Sequence, residues 1–127
     1  MVYTNITPRE AYAKIEKEGF AYLDVRTEEE FNQGRAKGSV NIPIFINTPE
    51  GRGLNANFVK QVQAKFDPST KLVIGCHAGG RSAKACQLLT EKGYKNIFNI
   101  DGGFGGRVDP QTGETIKGWE EEGLPCG

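Results

Sequence analysis

The sequence predicts a single α/β domain built on a central parallel sheet with helices on both faces. Strand and helix signals alternate from one end to the other, as crossover connections require. The strand candidates are short apolar runs suited to burial on both sides. A chain of 127 residues is long enough for one core and too short for two. Sixteen Lys plus Arg balance sixteen Asp plus Glu, which removes the basic footprint of a nucleic-acid binder. With 37% hydrophobic and 25% charged residues, the class is ordinary soluble globular. No apolar run approaches the ~20 residues of a membrane span, and Met1 to Asn5 lack the basic and apolar regions of a secretory signal. Three cysteines, Cys76, Cys86 and Cys126, are too few and too odd for a disulfide framework. A reducing, cytoplasmic setting is expected, without membrane or nucleic-acid partners.

The elements follow in order. Thr7 can cap a helix that Pro8 opens, with Ala11, Tyr12 and Ile15 on its apolar side and Gly19 at its end. Phe20 to Val25 reads as a buried strand, and the acidic stretch Thr27 to Glu30 opens a short helix. Ser39 to Pro43 is a second strand. Asn47 to Asn57, with Pro49, Gly51 and Gly53, is expected to be a loop. Phe58, Val59, Val62 and Phe66 recur at helical spacing. Lys71 to Gly75 is a compact apolar strand, Ser82 to Lys92 a helix closed by Gly93, and Lys95 to Ile100 another strand. Asp109 to Gly113 is expected to tip a small hairpin on which Val108 pairs with Ile116. Trp119 to Glu122 forms a last helical turn.

In parallel sheets of this kind ligands sit beyond the carboxyl ends of the strands, at helix N-termini. The segment Cys76-His77-Ala78-Gly79-Gly80-Arg81 occupies that place. Gly79 and Gly80 let the backbone turn tightly enough for several N–H groups to converge. A cysteine at the start of such a cradle meets those amides, the positive end of the Ser82 helix and Arg81, all of which favour the thiolate. No acidic residue lies between Asp67 and Glu91, so the cradle is expected to be locally positive. The pattern describes an activated sulfur nucleophile in an anion-binding loop. Cys86 shares a helical face with Ala83 and Leu89 and reads as core. Cys126 is expected to be exposed and idle, resolution of a modified Cys76 being its one chemical alternative. His77 is the only histidine, so no histidine cluster can hold a metal; its side chain is expected to face the entrance, either contacting substrate or simply exposed.

The loop and three further stretches resemble the rhodanese family of sulfurtransferases over about residues 6–125. Asp24-Val25-Arg26 is similar to a strand-end signature of the family. Glu30-Phe31, Gly34 and Gly38 to Pro43 resemble a second, although Arg35 and Ala36 stand where His and Ile are usual. Cys76 to Ser82 resembles the Cys-x-x-Gly-x-Arg-Ser active loop. Asp101 to Phe104, then Trp119 and Gly123-Leu124-Pro125, resemble the closing signature. The resemblance implies a catalytic Cys76, a substrate-holding loop from His77, Ala78, Gly79, Gly80 and Arg81 to Ser82, and structural roles for Asp24 and Arg26. It implies transfer of a sulfane sulfur from a small anionic donor such as thiosulfate, through a Cys76 persulfide, to cyanide, a thiol or a protein acceptor. No cofactor or metal is implied. A persulfide carrier that docks onto a protein partner, with little thiosulfate turnover, is the alternative. Residues 105–118 exceed the family's usual spacing and are expected to form a surface insertion on a domain spanning 1–127.

Two other chemistries fit less well. Phosphatases and arsenate reductases of related architecture use a Cys-x5-Arg loop, whereas four residues separate Cys76 from Arg81. Gly75 to Ser82 also resembles a nucleotide-binding loop, but Arg81 replaces its phosphate-reaching lysine. Gly102-Gly103-Phe104-Gly105-Gly106 lacks the spacing of a dinucleotide fingerprint and reads as turns.

Overall fold

The computed structural model describes residues 3–127. Its centre is β6 (Leu72–Gly75), buried along its whole length. Parallel neighbours flank it: β2 (Ala21–Asp24) on one side and β7 (Ile97–Ile100) on the other. Two short strands complete the sheet, β3 (Val40–Asn41) beside β2 and β1 (Thr4–Ile6) beside β7, giving the order β1-β7-β6-β2-β3. Strand side chains alternate between faces, and the core divides accordingly. Leu72, Ile74, Leu23 and Val25 meet Phe58 and Val62 of α3 (Phe58–Lys65) and Ala85, Cys86 and Leu89 of α4 (Gly80–Glu91). Val73, Tyr22, Ile6 and Ile100 face the other way, toward Ala11 of α1 (Pro8–Glu18), Trp119 and Leu124. The Trp119 ring stands edge-on to Tyr12 and Tyr22, with centroids 5.9 and 5.2 Å away. Helices thus cover both faces of a five-stranded parallel sheet, in agreement with the sequence.

Helix starts are well specified. Thr7 and Thr27 both form capping boxes, with Glu10 and Glu30 returning the bond. The second opens α2 (Glu28–Gln33), the short helix that delivers Glu30 to the carboxyl end of the sheet. Helix α4 begins at Gly80, two residues before the expected Ser82.

Three segments differ from expectation. Residues 47–57 are not simply a loop: β4 (Phe45–Thr48) and β5 (Gly51–Leu54) form an antiparallel hairpin turning at Pro49 and Glu50. Both strands are largely exposed and β5 holds two glycines, so there is no apolar alternation to read. Thr48 closes the turn instead, its hydroxyl donating to the Gly51 carbonyl at 2.6 Å. Strand β1 was missed because three residues, of which only Ile6 is buried, carry no periodicity. Finally, β8 (Arg107–Val108) does pair with β9 (Thr115–Ile116), but Arg107 stands opposite Ile116 and Val108 opposite Thr115. Val108 is consequently 61% exposed rather than packed against Ile116.

Candidate active site

Strand β6 ends at Gly75, where a Cβ would lie 2.6 Å from the Tyr22 hydroxyl. The chain then enters the loop with Cys76, which is buried. Its Sγ accepts a hydrogen bond from the Gly79 amide at 3.1 Å and stands 3.4 Å from the Ser82 hydroxyl. Gly79 has φ +130°, a conformation that side chains other than hydrogen rarely adopt. Its carbonyl is held from two sides, by the Ser82 hydroxyl at 3.2 Å and by Asn99 Nδ2 at 3.3 Å. No side chain caps α4, so the first amides of a twelve-residue helix remain available to an anion beside the sulfur.

The opposite side of the loop is equally fixed. The carbonyls of Cys76, His77 and Ala78 accept from the amides of Phe104, Gly105 and Gly102 at 2.8, 2.8 and 3.0 Å. Three consecutive loop carbonyls are thereby held on the 102–105 segment. The glycines there are needed for close approach: a Cβ on Gly103 would stand 2.7 Å from the His77 carbonyl, and one on Gly105 would overlap the His77 ring. This segment, read from sequence as turns, is the back wall of the loop.

Asp24 and Arg26 form a buried bidentate pair, with Nη2 to Oδ2 at 2.8 Å. Arg26 Nη2 also donates to the Gly34 carbonyl at 2.7 Å, and its guanidinium lies 4.6 Å from the Phe104 ring centroid. Asn41 Nδ2 donates to the carbonyls of both Asp24 and Arg26. These contacts tie β2, β3 and α2 together beneath the loop.

Arg81 does not stand alone as a cation. Its Nη1 and Nη2 donate to Glu30 Oε1 and Oε2 at 2.7 and 3.0 Å. The window from Asp67 to Glu91 contains no acid, but the fold delivers one from 51 residues upstream. The Arg81 guanidinium holds the Glu30 carboxyl down to about 2, so the pair is charged across the ordinary pH range. His77 is exposed and lines a cavity of about 340 Å³ with Arg26, Glu30, Gln33, Phe104 and Glu120. Burial pushes the Cys86 thiol up to about 12, leaving it protonated and inert. Cys126 is exposed, in an isolated bridge with Ala36. Among the described residues no group of three His, Cys, Asp or Glu could hold a metal ion, and no helix is long and apolar enough to cross a membrane.

The seven residues from Cys76 to Ser82 run without a break from the end of β6 into the first turn of α4. Their companions Glu30, Asn99 and Gly102 to Gly105 come from distant strands and turns. The profile of the Rhodanese-like domain family matches residues 7–106. The chain belongs to the rhodanese-like family. The matched stretch ends one residue before β8. The rhodanese chain is 43% identical over 93 residues to thiosulfate sulfurtransferase 18 of Arabidopsis thaliana, covering 72% of this chain and 68% of that one. It is 30% identical over 125 residues to the thiosulfate sulfurtransferase GlpE of Actinobacillus succinogenes, covering 98% and 91%. The crystal structure of Rv0390 from M. tuberculosis superposes with a TM-score of 0.79 at 26% identity, covering 99% of this chain and 98% of that one. Two of these three relatives carry the name thiosulfate sulfurtransferase.

Proposed function

We propose that this rhodanese transfers sulfane sulfur through a persulfide on Cys76. The observation that carries the reading is the Gly79 amide donating to Cys76 Sγ at 3.1 Å beneath the uncapped start of α4. Cys76 attacks as the thiolate on the outer sulfur of a donor such as thiosulfate. A bond forms between Sγ and that sulfur, the sulfur–sulfur bond of the donor breaks, and sulfite leaves with the bonding pair. The terminal sulfur of the persulfide then occupies the space before the α4 amides, where its charge is stabilised without reorganisation. A cyanide ion or a thiolate attacks that sulfur, becomes thiocyanate or a new persulfide, and returns Cys76 as the thiolate.

Residues His77 to Ser82 supply the holding loop, in which Ser82 and Gly79 contact the sulfur directly and Arg81 acts through its pair with Glu30. No step calls for a metal or organic cofactor. Residues 105–118 are read as an insertion whose hairpin projects from this platform. The experiment is a paired assay: thiocyanate formation from thiosulfate and cyanide, and hydrolysis of an aryl phosphate. Sulfur transfer without phosphatase turnover is expected, because four residues between Cys76 and Arg81 leave a narrower loop than a tetrahedral oxyanion needs. Aryl phosphate turnover exceeding thiosulfate turnover would overturn the reading. Uptake of sulfur without release to cyanide would reassign the chain as a sulfur carrier.

A further inference from the structure

An anion-binding loop that ends in an arginine invites the expectation that the guanidinium receives the substrate's charge. Here both terminal nitrogens of Arg81 are occupied by Glu30, at 2.7 and 3.0 Å. The carboxylate is itself anchored, since Oε1 also accepts from the Thr27 amide and hydroxyl, each at 3.1 Å. The remaining charges around the mouth do not restore a positive field. Arg26 is engaged by Asp24. Arg52, half-exposed on the β4–β5 hairpin, stands 3.9 Å from the same Glu30. Glu29 lines the cleft beneath Arg52, and Glu120 lines the cavity beside His77; neither forms an ion pair among the described residues. What touches the sulfur is therefore the Gly79 amide and the Ser82 hydroxyl, neutral donors that suit one developing charge at short range, while Glu30, Glu29 and Glu120 line the neighbouring clefts.

We propose that Glu30 sets the donor specificity of the Cys76 site by neutralising the Arg81 guanidinium at its edge, so that the site favours sulfane-sulfur donors of low charge, such as neutral alkyl persulfides, over the thiosulfate dianion. This rests on the sulfur-transfer reading and refines its donor class. In the favoured reaction Cys76 Sγ bonds to the terminal sulfur of the alkyl persulfide. The donor's sulfur–sulfur bond breaks, its alkyl thiolate leaves with the electron pair, and the proton stays on the transferred sulfur. Thiosulfate still reacts, at a disadvantage that Glu30 imposes.

The test reads the field at the sulfur without requiring sulfur transfer. Cys76 is alkylated with iodoacetamide, which is neutral, and with iodoacetate, which is anionic, and the two rates are compared as a ratio. In the unaltered protein the iodoacetate-to-iodoacetamide ratio should stay flat or rise between about 0.02 and about 0.5 M salt, because no free cation is there to be screened. A ratio that falls steeply with salt would show an unpaired guanidinium at the site and overturn the proposal. Glu30→Gln keeps the acceptor oxygen of the capping box while removing the charge. It should raise the ratio roughly 3–10-fold at low salt, the iodoacetate rate rising more than the iodoacetamide rate, which reports the thiolate fraction alone. The double variant Glu30→Gln with Arg81→Gln should return the ratio close to its original value. An unchanged ratio in Glu30→Gln, or a fall in both alkylation rates, would make Glu30 a support for the loop's shape instead. If the protein takes up sulfur from no donor, the sulfur-transfer reading fails, while the alkylation ratio still reports on Glu30.

Discussion

The amide of Phe104 donates to the carbonyl of Cys76 at 2.8 Å, joining the proposed nucleophile to a segment 28 residues later in the chain. A peptide carbonyl and the N–H of the following residue point in opposite directions along the backbone. Holding the carbonyls of Cys76, His77 and Ala78 on the 102–105 segment therefore fixes the orientation of the amides on the sulfur side. The loop's chemistry depends on a wall that contains no reactive group.

Gly103→Ala tests that wall. A Cβ at this position, where φ is +51°, would stand 2.7 Å from the His77 carbonyl and press on that of Cys76 as well. Backbone cannot rotate aside as a flexible side chain can. Sulfur transfer should fall on the order of 100-fold, the penalty for moving reacting groups by ~1 Å. Stability should drop by about 1–3 kcal/mol, with the far-ultraviolet circular dichroism spectrum retained. Near-normal turnover in a folded variant would show that the loop holds its own shape.

The Glu30–Arg81 pair predicts a specific acid response. Arg81 depresses the Glu30 carboxyl to about 2. A group whose pKa is lowered on folding adds stability above its unfolded value and loses it as the pH falls through its folded one. In urea titrations, the stability advantage of the unaltered protein over Glu30→Gln should be constant from about pH 8 to pH 5. It should close between about pH 4.5 and pH 2. A difference that is already shrinking at neutral pH would mean that the pair is not the source.

The β8–β9 hairpin should be removable. Val108 is exposed, and the hairpin's ion pair, Arg107 with Asp101 at 2.7 Å, is only half-buried. Such surface pairs contribute little to stability. Replacing Arg107 to Lys117 with a short Gly-Ser link, with Gly118 retained, should leave a folded domain that still takes up sulfur. The closest packing at risk is on Gly102, where a Cβ would stand 2.7 Å from the Lys117 carbonyl and 3.1 Å from Ile116 Cγ2. Unfolding of the shortened chain would show that this contact holds the 102–105 wall in place.

Much of this was legible in the sequence because it is local. Leu72 to Gly75 is an unbroken apolar run followed at once by Cys76 and two glycines, so strand, loop and helix could be read in order. The capping boxes at Thr7 and Thr27 span three residues each. What was not legible is what the fold brings together from afar. Glu30 reaches Arg81 only because β2 and β6 are neighbours in the sheet. Local charge counting between Asp67 and Glu91 therefore pointed to a positive loop, whereas the cation is neutralised. The 102–105 glycines carried a signal, their density, but its meaning depends on carbonyls 24–28 residues earlier. The β4–β5 hairpin escaped because its strands are exposed and glycine-containing, leaving Pro49 and the glycines to suggest a loop.

The most direct test of the central claim is the intact mass of the protein after incubation with excess thiosulfate and removal of small molecules. Exactness of mass is secondary to where the sulfur sits, so single variants are measured alongside. The unaltered chain should gain one sulfur, lose it again to cyanide, and show it on the peptide containing Cys76. Cys86→Ser and Cys126→Ser should behave in the same way, since the Cys86 thiol is buried and pushed up to about 12 and Cys126 lies outside the loop. Cys76→Ser should gain nothing. A folded Cys76→Ser protein that still acquires a cyanide-labile sulfur would contradict the account.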